Sequence, residues 1–205
     1  MNLSVAIQAG GESRRMGRDK ALIPFLGEPL IARVCRRLEG LGTDLFVTSN
    51  RPQLLAFLNR PCVPDIVPDR GALGGLCTAL THARNPLVAV VACDMPFASP
   101  ELLRFAREHL GSADVAIFRN GDGFEPLHAL YRRDTCLPAV QEALVQDLWR
   151  VDSWFPKVKV NVLEPASYAA VDPGGRAFMN VNTPEDLLQA EALAMGIDTQ
   201  EDRRR

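Results

Sequence analysis

Short apolar runs alternate along the chain with longer segments whose apolar residues recur at helical spacing. The runs at 3–9, 44–49, 87–93 and 114–118 are rich in Val, Ile and Leu, the pattern of strands covered on both faces of a parallel sheet. Between the first two, Leu30, Ile31, Val34, Cys35, Leu38 and Leu41 share one helical side, with Arg33, Arg36, Arg37 and Glu39 on the other. This spacing predicts a surface helix. A second helix opens at Ser99, Pro100 and Glu101, where a serine N-cap, a proline at the first helical position and an acid in the first turn favour initiation. The same logic applies at Thr183 to Asp186, and further helices are predicted over 74–83, 135–146 and 184–195. This order predicts an α/β fold, a three-layer, doubly wound and mostly parallel sheet, with its ligand beyond the carboxyl ends of the strands.

Composition narrows the class. With 205 residues, 47% of them apolar, the chain can bury a full core, and one domain is expected over 1–196, followed by a disordered tail at 197–205. A net charge of -2 and a pI near 5.9 argue against nucleic acid or an anionic membrane as partner. Any phosphate must then be met by a local cluster of cations. Cys35, Cys62, Cys77, Cys93 and Cys136 are widely spaced, with no CxxC pair, and read as buried thiols of a reducing cytosol. The first residues lack the basic region of a signal peptide, and no apolar run reaches membrane-spanning length. A cytoplasmic location is the expectation.

The richest signal follows the first strand, in Gln8, Ala9, Gly10, Gly11, Glu12, Ser13, Arg14, Arg15, Met16, Gly17, Arg18, Asp19 and Lys20. Paired glycines let backbone N–H groups approach a ligand closely, and the clustered cations can neutralise a polyphosphate. The spacing is neither that of a Walker loop nor the G-x-G-x-x-G of dinucleotide binders. By charge and glycine content alone it could also be a solvated basic turn.

Taken whole, the string from Ala9 to Lys20 resembles the A-G-G-x-S-x-R-M-G-x-D-K signature of molybdenum cofactor guanylyltransferases. Further blocks occur in that family's order: Gly71 to Gly75, Cys93 to Pro96, Glu125 to Tyr131, and Asn180 to Pro184. The resemblance implies a Rossmann-like nucleotidyltransferase fold, with GTP and molybdopterin as substrates and Mg2+ as cofactor, Mn2+ being a possible substitute. It also allows transient contact with other cofactor-biosynthesis proteins or acceptor molybdoenzymes. By the same resemblance, the backbone of Gln8, Ala9 and Gly10, with Gly11 and Lys20, holds the nucleotide, Asp69 lies in its pocket, and Asp94 binds nucleotide and metal. The family commonly has Leu in place of Gln8, and some members have Asn in place of Thr48, so Thr48 or Asn50 is the candidate base contact.

Several of these residues have a chemical argument of their own. Asp94 ends an apolar run, so a carboxylate is delivered where open α/β sheets bind ligands, and magnesium needs few protein carboxylates when phosphates and waters complete its shell. A turn cap before Pro96 is the other reading. Gly74 and Gly75 either open a helix toward the nucleotide or permit tight packing. His128, Asn180 and Asn182 are candidates for the acceptor side, each with a packing or turn-network alternative, and Trp149 and Trp154 are as well placed for the core as for shielding a ring. Because a phosphate acceptor is already anionic, no general base is required. Arg15 and Lys20, with Arg14 as auxiliary, are assigned to charge developing on the leaving pyrophosphate, and Asp94 to the metal. Cytidylyl transfer, a sugar-phosphate acceptor, or a non-catalytic nucleotide-binding protein on the same scaffold remain open.

Overall fold

The computed structural model of the chain describes residues 2–10 and 19–201. Its elements in order are β1 (Leu3–Gln8), β2 (Pro24–Phe25), β3 (Glu28–Pro29), α1 (Leu30–Leu38), β4 (Asp44–Thr48), β5 (Cys62–Val63), α2 (Gly71–His82), β6 (Leu87–Ala92), α3 (Pro100–Glu108), β7 (Val115–Asn120), β8 (Gly123–Phe124), β9 (His128–Arg132), α4 (Arg133–Val145), β10 (Val160–Leu163), α5 (Pro165–Tyr168) and α6 (Pro184–Glu201). The main sheet runs β10-β7-β9-β6-β1-β4-β5, with β8 hydrogen-bonded to β7. β1 lies parallel to both β4 and β6, and β10 parallel to β7. β9 is antiparallel to both of its neighbours, β6 and β7.

Alternation within the central strand divides the core into two layers. Leu3, Val5 and Ile7 pack with Ile31, Val34 and Leu38 of α1 and with Leu102, Leu103 and Ala106 of α3. On the opposite face, Ala6 packs with Leu73, Leu76 and Leu80 of α2 and with Val140 of α4. A smaller cluster joins α6 to the β2–β3 hairpin through Phe25, Leu30, Val181, Ala190 and Ala194. The three-layer, mostly parallel sheet is therefore the one predicted.

The helix signals act as expected at both caps. Ser99 Oγ accepts from Leu102 N at 3.1 Å. Thr183 Oγ1 accepts from Asp186 N at 3.1 Å while Asp186 Oδ2 accepts from Thr183 N at 2.9 Å, a reciprocal cap. Arg33 departs from its predicted solvent side and is only 4% exposed. Its guanidinium lies 4.8 Å from the Phe25 ring centroid and donates through Nε to Pro96 O at 3.0 Å, so ring contact and a carbonyl take the place of water. α2 begins at Gly71 rather than at 74. α6 is described as far as Glu201, and residues 202–205 of the predicted tail lie outside the described residues. Cys35, Cys77, Cys93 and Cys136 are buried, Cys62 is half-buried, and all five are free thiols. Among the described residues, no helix is long and apolar enough to cross a membrane.

Candidate active site

The carboxyl ends of β1 and β6 lie side by side, with Gln8 paired to Ala92. The two chains leave the sheet together, Cys93 N donating to Gln8 O at 3.0 Å and Ala9 N to Thr48 O at 2.9 Å. Over this edge lies a cavity of about 310 Å³ whose walls include Gln8, Ala9, Gly10, Asp19, Lys20, Asp94, Glu125, Asn180 and Asn182. Residues separated by most of the sequence thus meet at the strand ends, as the switch-point rule requires.

At its centre, Lys20 Nζ lies 3.2 Å from Asp94 Oδ2 and donates also to Asn182 Oδ1. Asp94 is held from behind, its carbonyl accepting from Val181 N at 2.9 Å. Its second oxygen, Oδ1, is buried and has no partner among the described residues. A buried carboxylate oxygen without a donor is costly unless a cation or donor arrives with the ligand. Asn182 is fixed in turn, since its N–H donates to Asp186 Oδ2 at 2.9 Å. The cap network at Thr183 and the cavity contact of Asn182 are therefore one construction rather than alternatives. Asn180 donates to Phe178 O at 3.1 Å and also lines the cavity.

Other candidates lie elsewhere. Thr48 is fully buried, and its Oγ1 has no partner among the described residues. Asn50 is exposed and exchanges two hydrogen bonds with Asp65, donating to Oδ2 at 3.0 Å and accepting from the Asp65 N–H at 2.9 Å. Asp69 is exposed, holds a φ of 60°, and does not line the cavity. Gly74 is buried inside α2 with its N–H donated to Arg70 O at 3.2 Å, so it offers nothing to a ligand. A Cβ on Gly75 would fall 2.0 Å from Gln8 Nε2, so the glycine leaves room for the Gln8 amide at the cavity wall. His128 is fully buried and accepts at Nε2 from Ser99 N at 3.0 Å. Burial lowers its pKa to about 4, with the Arg37 charge acting in the same direction, so it is a neutral, packed ring beside Phe118 and Phe178. Trp154 is core, and Trp149 is exposed with the Arg70 guanidinium 4.6 Å from its ring centroid. Gly11, Arg14 and Arg15 lie outside the described residues.

Three acids to which the sequence assigned no role stand at or near the site. Asp65 Oδ2 would lie 3.6 Å from a Cβ on Gly10, so the carboxylate beside the glycine turn is Asp65 rather than Asp69. Asp19 stands beside Lys20 in the cavity wall, accepting from Ala21 N at 3.1 Å and pairing with Arg51 at 3.1 Å. Glu125 lines the cavity opposite Asp65 in strand order. Its only sequence signal was its place at the head of the Glu125 to Tyr131 block.

Residues 5–158 match the model of the MobA-like NTP transferase domain. A probable molybdenum cofactor guanylyltransferase of Natronomonas pharaonis is 40% identical over 192 residues, covering 90% of this chain and 94% of that protein. The chain belongs to the molybdenum cofactor guanylyltransferase family. Another relative so named, from Pelotomaculum thermopropionicum, is 37% identical over 188 residues, with coverage of 92% and 91%. The crystal structure of molybdopterin-guanine dinucleotide biosynthesis protein A from Archaeoglobus fulgidus matches with a TM-score of 0.84 at 25% identity, covering 94% of this chain and 99% of that one. The guanylyltransferase resemblance drawn from the Ala9 to Lys20 string is borne out, as is the nucleotidyltransferase fold.

Proposed function

We propose that the chain, acting as one domain over 1–196, transfers GMP from GTP to the terminal phosphate of molybdopterin and releases pyrophosphate. The observation that carries this reading is the convergence of Lys20, Asp94 and Asn182 over the ends of β1 and β6, with one Asp94 oxygen buried and without a partner among the described residues. An acceptor phosphate oxygen attacks the α-phosphorus of GTP. The bond from that phosphorus to the bridging oxygen breaks, and pyrophosphate departs with the electron pair. The nucleophile is already anionic, which suits a site whose buried histidine makes no contact with the cavity.

Lys20 sits where it can exchange Asp94 for phosphate oxygens, and Arg15 supplements it. The Gly10 backbone N–H is offered as a donor, the Ala9 N–H being committed to Thr48 O, while the Asn50 and Asp65 pair is suited to the donor edge of guanine. Among the described residues no three acidic, His or Cys side chains cluster as a preformed metal cage. A single carboxylate with a free oxygen does fit Mg2+, or Mn2+, brought with the nucleotide phosphates. When bound there, the ion supplies positive charge against the phosphate oxygens. Five free thiols accord with a cytoplasmic location, and hand-over of the product is assigned to transient contact with other cofactor-biosynthesis proteins or acceptor molybdoenzymes.

Pyrophosphate release with GTP, ATP, CTP and UTP, each with and without molybdopterin, tests the reading. GTP should exceed the others by about 100-fold in kcat/KM, within reach of hydrogen-bonded discrimination. Equal or better use of CTP refutes guanylyl transfer.

A further inference from the structure

The strand order divides the cavity into two halves. Asp94, following β6, stands at the middle; Gly10 lies on the β4 side, with Asn50 and Asp65 beyond it outside the cavity wall; Glu125 rises from the turn before β9 on the other side. If nucleotide occupies the first half and phosphate the middle, the ring system of the acceptor must occupy the half that Glu125 faces.

Glu125 is firmly aimed. Its N–H donates to Phe118 O at 3.0 Å, its carbonyl accepts from His128 N at 3.1 Å, and its Oε1 accepts from Asn120 Nδ2 at 2.8 Å. Both the backbone and one oxygen are thereby fixed to the hairpin made by β7 and β8. Burial raises the carboxyl above its ordinary value, the Asn120 bond offsets part of this, and the Asp94 charge adds to it. A carboxylate in this setting repels phosphate oxygens, because both groups only accept hydrogen bonds. It fits a ligand edge that only donates.

We propose that Glu125 recognises the 2-amino-4-oxopyrimidine edge of the acceptor's pterin, accepting from the ring N–H and the exocyclic amine side by side. Asn120 is its positioning residue. The inference rests on the guanylyl-transfer reading, since that reading supplies a pterin as acceptor. A carboxylate facing two parallel donors gives the charge-assisted, two-point geometry that rejects a ligand whose amine is replaced by a carbonyl.

The test uses 6-hydroxymethylpterin and its 2-oxo counterpart 6-hydroxymethyllumazine as fluorescent probes on the full chain. Wild-type protein should bind the pterin at least about tenfold more tightly, the scale of one charge-assisted hydrogen bond. In Glu125→Ala, and in the isosteric Glu125→Gln, that ratio should fall to about 2 or less, with GTP affinity unchanged. Asn120→Ala should reduce the ratio partially and raise the KM for molybdopterin more than it lowers kcat. No preference in the wild-type protein, an unaltered ratio in both Glu125 variants, or an effect confined to GTP affinity or magnesium requirement overturns the assignment. Probe binding needs no turnover, so this inference can fail while pyrophosphate release with molybdopterin persists. A failure of the transfer reading instead shows as wild-type protein that is inactive with molybdopterin.

Discussion

Replacing either of two adjacent glycines by alanine should have opposite consequences. A Cβ on Gly74 would lie 2.8 Å from Val67 O and 2.9 Å from Arg70 Cβ, whereas one on Gly75 would lie 2.0 Å from Gln8 Nε2 and 2.4 Å from Cδ. The first obstacle is largely backbone, and the second is the end of a side chain that borders the cavity. Alanine favours the helix by about 0.5–1 kcal/mol over glycine. In Gly74→Ala this gain is set against about 1–3 kcal/mol of overpacking. The expected net loss is up to about 2.5 kcal/mol, or roughly 5–10 °C in Tm at the 2–4 °C per kcal/mol typical of this chain length. In Gly75→Ala the Gln8 amide swings into the cavity, giving up its 3.1 Å bond to Ala72 O. That bond is worth about 1 kcal/mol, which the helix gain nearly offsets. Thermal unfolding without ligand should therefore barely move for Gly75→Ala, while calorimetric GTP affinity falls by about tenfold or more, the equivalent of one polar contact. Adding Gln8→Ala should restore the affinity to that of Gln8→Ala alone. Equal loss of stability in both glycine variants, with GTP affinity intact, would refute the reasoning.

The remaining predictions concern charge. Asp94→Asn keeps its size and should leave Tm within a few degrees while abolishing most transfer, and Lys20→Ala should lower the single-turnover rate even at saturating GTP. Near-normal turnover of folded Asp94→Asn, or a change confined to KM in Lys20→Ala, would contradict these roles. Burial lowers the His128 pKa from the ordinary 6.5 to about 4 in the folded chain, so between these values the unfolded chain binds the extra proton and stability falls as pH drops from about 6.5 toward 4. At 1.36 kcal/mol per unit the His128 contribution is on the order of 3 kcal/mol. Denaturant titrations of wild type and His128→Gln at pH 7 and pH 5 should show a shallower loss in the variant, and parallel losses would remove His128 as the source.

The parallel framework was legible because β1, β4, β6 and β7 are apolar over most of their length, a pattern that few other environments produce. β9 was harder to place. His128 to Arg132 reads as a strand, yet nothing in its alternation marks it as reversed, because direction is set by the hairpin that precedes it. Lys20, Asp94 and Asn182 were legible as a family string, and the structure brings all three together. Asp69 was placed in the nucleotide pocket by resemblance, with a turn residue before Arg70 and Gly71 as the other reading; it is exposed, with a φ of 60°. Asp65, four residues earlier, reaches the glycine turn through its Asn50 partnership, a contact across 15 positions that no local pattern reports. Arg33 was misplaced for the related reason that helical periodicity assigns a side of the helix without knowing what covers it.

The reversal of β9 has an evolutionary consequence. In a wholly parallel sheet every loop at the ligand edge leads into a crossover helix, so altering one disturbs the core beneath it. Because β9 runs the other way, the hairpin from Asn120 to Leu127 reaches that same edge as an appendage anchored at both ends in neighbouring strands. Its length can change without altering a crossover helix, so long as Leu127 O keeps the 2.9 Å bond from Ala92 N that ties it to the strand before Asp94. Grafting hairpins from other nucleotidyltransferases onto this sheet would ask whether substrate repertoire diversifies as an exchangeable cassette on one transfer centre.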